Sequence, residues 1–196
     1  MPALIRDWRL TFEQGEFPFY LVGLPAFQPR RTEPSATTDN WTALREVQAK
    51  TVRQVRNTGL AVTIDTGDAN DIHPREKQPV GERLALAALA GHYRKDVPAS
   101  GPTLRFVERR PGALVLHFDH VEGGLQVRGD TLGEFSVKGT DGTWQWADAR
   151  IAGDTVIVSA DSVREPVAAR YAWQSNPQVT LFNAAGLPAM PFRTDD

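Results

Sequence analysis

An imidazole with a carboxylate beside it keeps one tautomer and offers its other nitrogen to a proton, which is the working arrangement of a general base. In this chain the residue types and spacing that could build it are in Thr66-Gly67-Asp68-Ala69-Asn70-Asp71-Ile72-His73-Pro74. Asp71 is two residues from His73, Asp68 is five, and Asp65 lies on the same approach. A loop histidine could also simply cap or pack near a helix start, so spacing alone leaves both uses open. His117 and His120 flank Asp119, but a strand and its end send them to different faces, and no third ligand lies close in sequence. No metal and no other cofactor is expected. Trp144 and Trp146 stand at i and i+2 on one strand face, where they either stack on a sugar ring or join the core. The area that tryptophan buries favours the core.

The elements that must position His73 alternate. Leu4, Ile5, Trp8 and Phe12 recur at helical spacing, with Gln14-Gly15 as the stop. Residues 19–24 form a nearly continuous apolar run, which predicts a strand covered on both faces, as in parallel sheets. Asp39 or Asn40 can cap a helix with apolar positions Trp41, Leu44, Val47, Val52 and Val55, ended by Asn57 and Gly59. Residues 60–65 read as the next buried strand. The loop with His73 leads into a last helix, with Pro79 in its first turn and Val80, Leu84, Ala88 and Leu89 facing inward. Helix, strand, helix, strand, helix is a right-handed crossover unit of a doubly wound sheet, and ligands gather at the C-terminal ends of such strands.

Polar, helix-breaking residues at 94–102 mark a change of texture, and the boundary is placed there, giving domains 1–97 and 98–196. Beyond it come hairpin signals. Pro111-Gly112 separates 103–107 from 113–118, Asp141-Gly142 separates 135–138 from 143–146, and Gly153-Asp154 separates 149–152 from 155–159. No convincing helix occurs there, so a small antiparallel β-sandwich is expected.

Bulk properties exclude several classes. Lys and Arg number 22 against 24 Asp and Glu, for a net charge of −2, and Arg109-Arg110 beside Pro111 reads as a solvated turn. No basic stripe calls for nucleic acid. No apolar run is long enough to cross a bilayer, and Arg6, Asp7 and Arg9 interrupt any leader-like stretch, so no membrane partner and no signal peptide are expected. The absence of cysteine removes disulfides, thiolate metal sites and cysteine nucleophiles, and leaves the compartment open.

Leu4-Ile5-Arg6-Asp7-Trp8-Arg9, Gln14-Gly15-Glu16-Phe17-Pro18-Phe19, Asp71-Ile72-His73-Pro74, Arg170-Tyr171-Ala172-Trp173, Gly186-Leu187-Pro188-Ala189 and Pro191-Phe192-Arg193-Thr194-Asp195 together resemble the sialate O-acetylesterases, in order across almost the whole chain. That family lies in the SGNH-hydrolase superfamily, whose members cleave acyl esters with a serine and a histidine and are often secreted or periplasmic. The resemblance implies the C-terminal part of a doubly wound SGNH-type sheet followed by the sandwich, His73 as base, and an acetylated carbohydrate as substrate. Two departures qualify this. The family's aspartate three residues before the histidine is Asn70 here, which leaves Asp71, then Asp68, as orienting acid, or a serine-histidine dyad. The family's serine, with the glycine and asparagine of its oxyanion hole, falls upstream of the matched region, so this chain is expected to begin after them. Ser35 and Ser100 sit in proline-flanked loops and Ser136, Ser159, Ser162 and Ser175 in the β part, none of them in a glycine-rich elbow. The isolated chain is therefore expected to be inactive, and to need the N-terminal catalytic segment or to self-associate. The alternatives are a non-catalytic carbohydrate-binding or interaction module, or an inactive truncated esterase.

Overall fold

The computed structural model describes residues 1–34 and 39–195; Ser35 lies outside the described residues. Helix α1 (Pro2–Phe12) starts on Pro2, whose fixed φ suits a first turn, and stops where Glu13 turns left-handed at φ 52. Strands β1 (Phe19–Val22) and β2 (Thr58–Ala61) pair in parallel, from Phe19 opposite Thr58 to Val22 opposite Ala61. Helix α2 (Asn40–Gln54) makes the crossover between them, and α3 (Gln78–Gly91) follows β2. This is the expected order, but the two strands are all of the parallel sheet among the described residues.

Both strands are shorter than their apolar runs. Val62, Thr63 and Ile64 are buried, yet the chain is already turning there, because Thr66 donates its N–H to Thr63 O at 3.1 Å. Apolar runs report burial, and burial does not require a strand. Nor is β1 covered on both faces, since Val22 is exposed.

Helix α2 inverts its expected face. Asp39 caps it, accepting from Thr42 N at 2.7 Å. Its buried residues are Thr42, Arg45, Gln48, Ala49 and Thr51, while Leu44 and Val47 face solvent. Buried polar groups are stable when every donor is satisfied, and here they are. Gln48 bridges the end of β1, donating to Val22 O at 3.0 Å and accepting from Leu24 N at 3.1 Å. Gly59 does not stop the helix but sits inside β2, where a Cβ would come within 2.8 Å of the Tyr20 ring. Helix α3 carries Pro79 in its first turn, as expected. Leu89, expected inward, is exposed, because a two-stranded sheet is too narrow to cover the whole stripe.

All three hairpins form where their turn residues lie: β3 (Thr103–Arg110) with β4 (Ala113–Asp119), β6 (Phe135–Gly139) with β7 (Trp144–Trp146), and β8 (Asp148–Ala152) with β9 (Thr155–Ser159). Gly112, Gly142 and Gly153 take the positive φ those turns require. Four strands had no local signal: β5 (Leu125–Val127), β10 (Pro166–Tyr171), β11 (Leu181–Asn183) and β12 (Phe192–Arg193). The strands assemble as two four-stranded antiparallel sheets, β3-β4-β9-β8 and β12-β10-β6-β7, and the pair β11-β5. Leu116 and Val158 of one sheet and Val137 and Tyr171 of the other share a cluster with Ala49, Val62 and Ile64, so the core is continuous across residues 94–102.

Candidate functional site

The His73 loop begins at the C-terminal end of β2. Thr63 Oγ1 donates to Gly23 O, and Thr66 Oγ1 to Thr63 O at 2.8 Å, which closes the turn. Gly67 then bridges Ala26 at φ 125, and a Cβ there would lie 2.1 Å from Ala26 O, so only glycine fits. Two aspartate turns follow. Asp68 Oδ1 accepts from Asn70 N at 2.8 Å. Asp71 Oδ1 accepts from His73 N at 2.9 Å and faces His73 Nδ1 at 3.2 Å. Five residues after His73, α3 begins at Gln78, so the histidine is further from the helix than its sequence suggested.

Of the three carboxylates on the approach, the structure brings Asp71 alone to the ring. The His73 backbone N–H, then the ring itself, holds the Asp71 carboxyl below its ordinary value. Asp68 is engaged on its own turn. Asp65 pairs bidentately with Arg83 at 2.5 and 2.7 Å, and Arg83 also donates to Val62 O, so this pair ties α3 to the loop's first residues. With Nδ1 against a carboxylate, Nε2 is the nitrogen left to accept a proton. The His73 side chain is 86% exposed. Cavities of about 250 and 570 Å3 are lined by other residues, among them Leu60 and His120 in the first and Arg6 and Leu10 in the second. Among the described residues no serine hydroxyl is bonded to the ring; Ser175 Oγ donates to Asp39, and Ser100 Oγ is buried without a partner.

The other candidates separate. Trp144 is buried with the Arg170 guanidinium 4.2 Å from its ring centre, whereas Trp146 is part-exposed and donates to Thr32 O at 2.8 Å. The pair therefore offers no shared open face. His117 stacks on Phe106 with centroids 4.1 Å apart and faces Glu108, and His120 lies beside Glu122. No group of three or more metal-ligating side chains occurs among the described residues.

The residue that sequence reasoning missed is Arg45. It is buried and donates to four carbonyls, Leu24 O and Pro25 O just past β1, and Gln174 O and Ser175 O of the antiparallel part. Burial pulls its guanidinium down to about 10, which still leaves a cation at neutral pH. Of the resembling motifs, Arg170-Tyr171-Ala172-Trp173 proves structural. Arg170 pairs with Asp195 at 2.9 and 2.6 Å, and the fully buried Tyr171 hydroxyl accepts from Leu181 N at 3.0 Å.

His73 thus stands beside Asp71 on the loop that follows β2, and the known proteins this chain is similar to are esterases. The fold matches a solved carbohydrate acetylesterase from Xanthomonas citri with a TM-score of 0.90 and 41% identity, over 99% of this chain and 45% of that one. The chain is a homologue of the sialate O-acetylesterases, as its motifs had indicated. It is 31% identical to the Pongo abelii enzyme over 97% of this chain and 41% of the relative, and 30% identical to that of Homo sapiens over the same shares. The Mus musculus enzyme is 30% identical over 97% of this chain and 39% of its own length. The chain thus spans about two-fifths of the curated relatives it matches, a share that fits the expected C-terminal portion. No family model matches it.

Proposed function

We propose that this chain supplies the histidine part of a serine-histidine carbohydrate esterase that removes O-acetyl groups, the serine coming from a segment outside it. The observation that carries the reading is Asp71 gripping His73 at both backbone and ring, on the loop past β2, in a chain 41% identical to a carbohydrate acetylesterase. Residues 1–97 are then the C-terminal portion of an SGNH-type esterase domain, and 98–196 a β-sandwich packed on the same core. Acetylated sugar as substrate follows from the names of the relatives.

In this mechanism His73 Nε2 takes the proton of the incoming serine as its Oγ attacks the acetyl carbonyl. Collapse of the tetrahedral adduct expels the sugar alkoxide, which receives that proton. Water, deprotonated by the same nitrogen, then releases acetate and restores the serine. Asp71, rather than Asp68, holds the ring in the tautomer this needs. The alternative of a sugar-binding module resting on the tryptophan pair is less well supported, because Arg170 covers Trp144.

The test is complementation. The chain is mixed with a serine-bearing N-terminal segment of a sialate O-acetylesterase, and hydrolysis of an acetylated sugar is followed. Activity in the mixture and in neither part alone is expected. If the two parts form a stable complex that hydrolyses no acetyl ester, the proposal fails.

A further inference from the structure

We infer that Asn176, in the antiparallel part, is a positioning residue for the loop that carries His73, acting through the left-handed backbone of Gln28. Its consequence for catalysis rests on the esterase reading above; its structural basis does not. The loop has no regular structure of its own and is fixed where it runs beside residues 26–28. Ala26 donates its N–H to Thr66 O at 2.8 Å, Gln28 donates its N–H to Ala69 O at 3.1 Å, and Gly67 bridges Ala26 in parallel. The parallel sheet does not hold residues 26–28, because β1 ends at Val22. Their other side is held by the antiparallel part: Phe27 donates its N–H to Ser175 O at 3.2 Å, and Asn176 Nδ2 donates to Gln28 O at 2.8 Å.

Gln28 is the hinge of this relay. Its φ is 75, a conformation that residues with a Cβ avoid. At this one residue the backbone donates to the His73 loop and accepts from the antiparallel part. Without the Asn176 amide, Gln28 is free to return to an ordinary φ, and its N–H then leaves Ala69. The antiparallel part would therefore set where the imidazole stands, and small displacements of a catalytic group carry large rate penalties.

Two variants and two readouts test this. In the isolated chain, Asn176→Ala is expected to speed amide exchange at residue 28 by about three- to tenfold, the factor one net hydrogen bond supplies. Adding Gln28→Gly should return exchange towards the wild-type rate, because glycine holds positive φ without help. Unchanged exchange in Asn176→Ala, or a double variant no slower than the single one, overturns the relay. In the complemented assembly, Asn176→Ala should lower kcat by about tenfold with little change in KM, and the double variant should recover it. Exchange that responds while kcat does not overturns the positioning role and leaves His73 untouched. An inactive wild-type assembly counts against the esterase reading, and the exchange result still decides the relay.

Discussion

An aspartate that accepts from the backbone N–H two residues ahead, and also faces that residue's ring, fixes a histidine at both ends. Asp71 does this for His73, while Asp68, three residues further back in the chain, turns its oxygen to Asn70. The two carboxylates therefore separate by experiment. In the complemented assembly, Asp71→Asn should remove a large part of the ~10²–10⁴ that a general base contributes, and Asp68→Asn should leave kcat within about twofold. A pH–rate profile of each variant is the check, and equal effects would contradict the assignment. The place of His73 on a loop beyond β2 was legible in the sequence, because that loop follows an apolar run. The choice between Asp71 and Asp68 was not legible, since it depends on which carboxylate the backbone turns toward the ring.

At the scale of elements, α2 shows what local pattern cannot report. Its leucine and valine at 44 and 47 looked like the buried stripe, yet Arg45 and Gln48 are the residues inside. The reason is that both segments α2 covers, 22–25 and 174–175, turn carbonyls toward it, which a guanidinium and an amide satisfy and an aliphatic side chain does not. Arg45→Met should therefore destabilise the chain by about 2–5 kcal/mol, whereas Leu44→Ala should change stability by less than about 0.5 kcal/mol. Denaturant midpoints of the two variants are the measurement, and the reverse ranking would show the helix facing the other way. The hairpins were readable because their turn residues act locally. Strands β10 and β12 were not, because their pairing with β6 and with each other is decided by partners far along the chain.

For the whole molecule, charge and exposed apolar surface decide behaviour. Burial, the largest single influence, would raise the Asp39, Glu46 and Asp195 carboxyls, but Ser175, Thr42 and Arg31 at Asp39, Arg193 and Lys50 at Glu46, and Arg170 and Arg193 at Asp195 together outweigh it and hold all three below their ordinary values of 3.8, 4.5 and 3.8. Depressed carboxylates contribute stability above their unfolded values and lose it as pH falls through the folded ones. Stability should thus hold from neutrality to about pH 5 and decline below about pH 4; a Glu46→Gln variant should show a shallower decline. Helix α1 leaves Leu4, Trp8, Leu10 and Phe12 exposed, with Val22 also open on β1. Leu4, Trp8 and Phe12, spaced four apart, share one face of the helix; an exposed apolar face associates in water, so light scattering of the isolated chain should show concentration-dependent dimers, and Trp8→Glu should return it to monomer. A wild-type chain monomeric at all concentrations would argue against that surface.

The imidazole of His73 can be interrogated most directly by comparing initial rates of acetyl-sugar hydrolysis for serine-bearing assemblies made with the wild-type chain and with His73→Ala. The expected result is a fall of at least about a hundredfold with assembly intact. Equal rates from the two assemblies would mean that another group removes the serine proton.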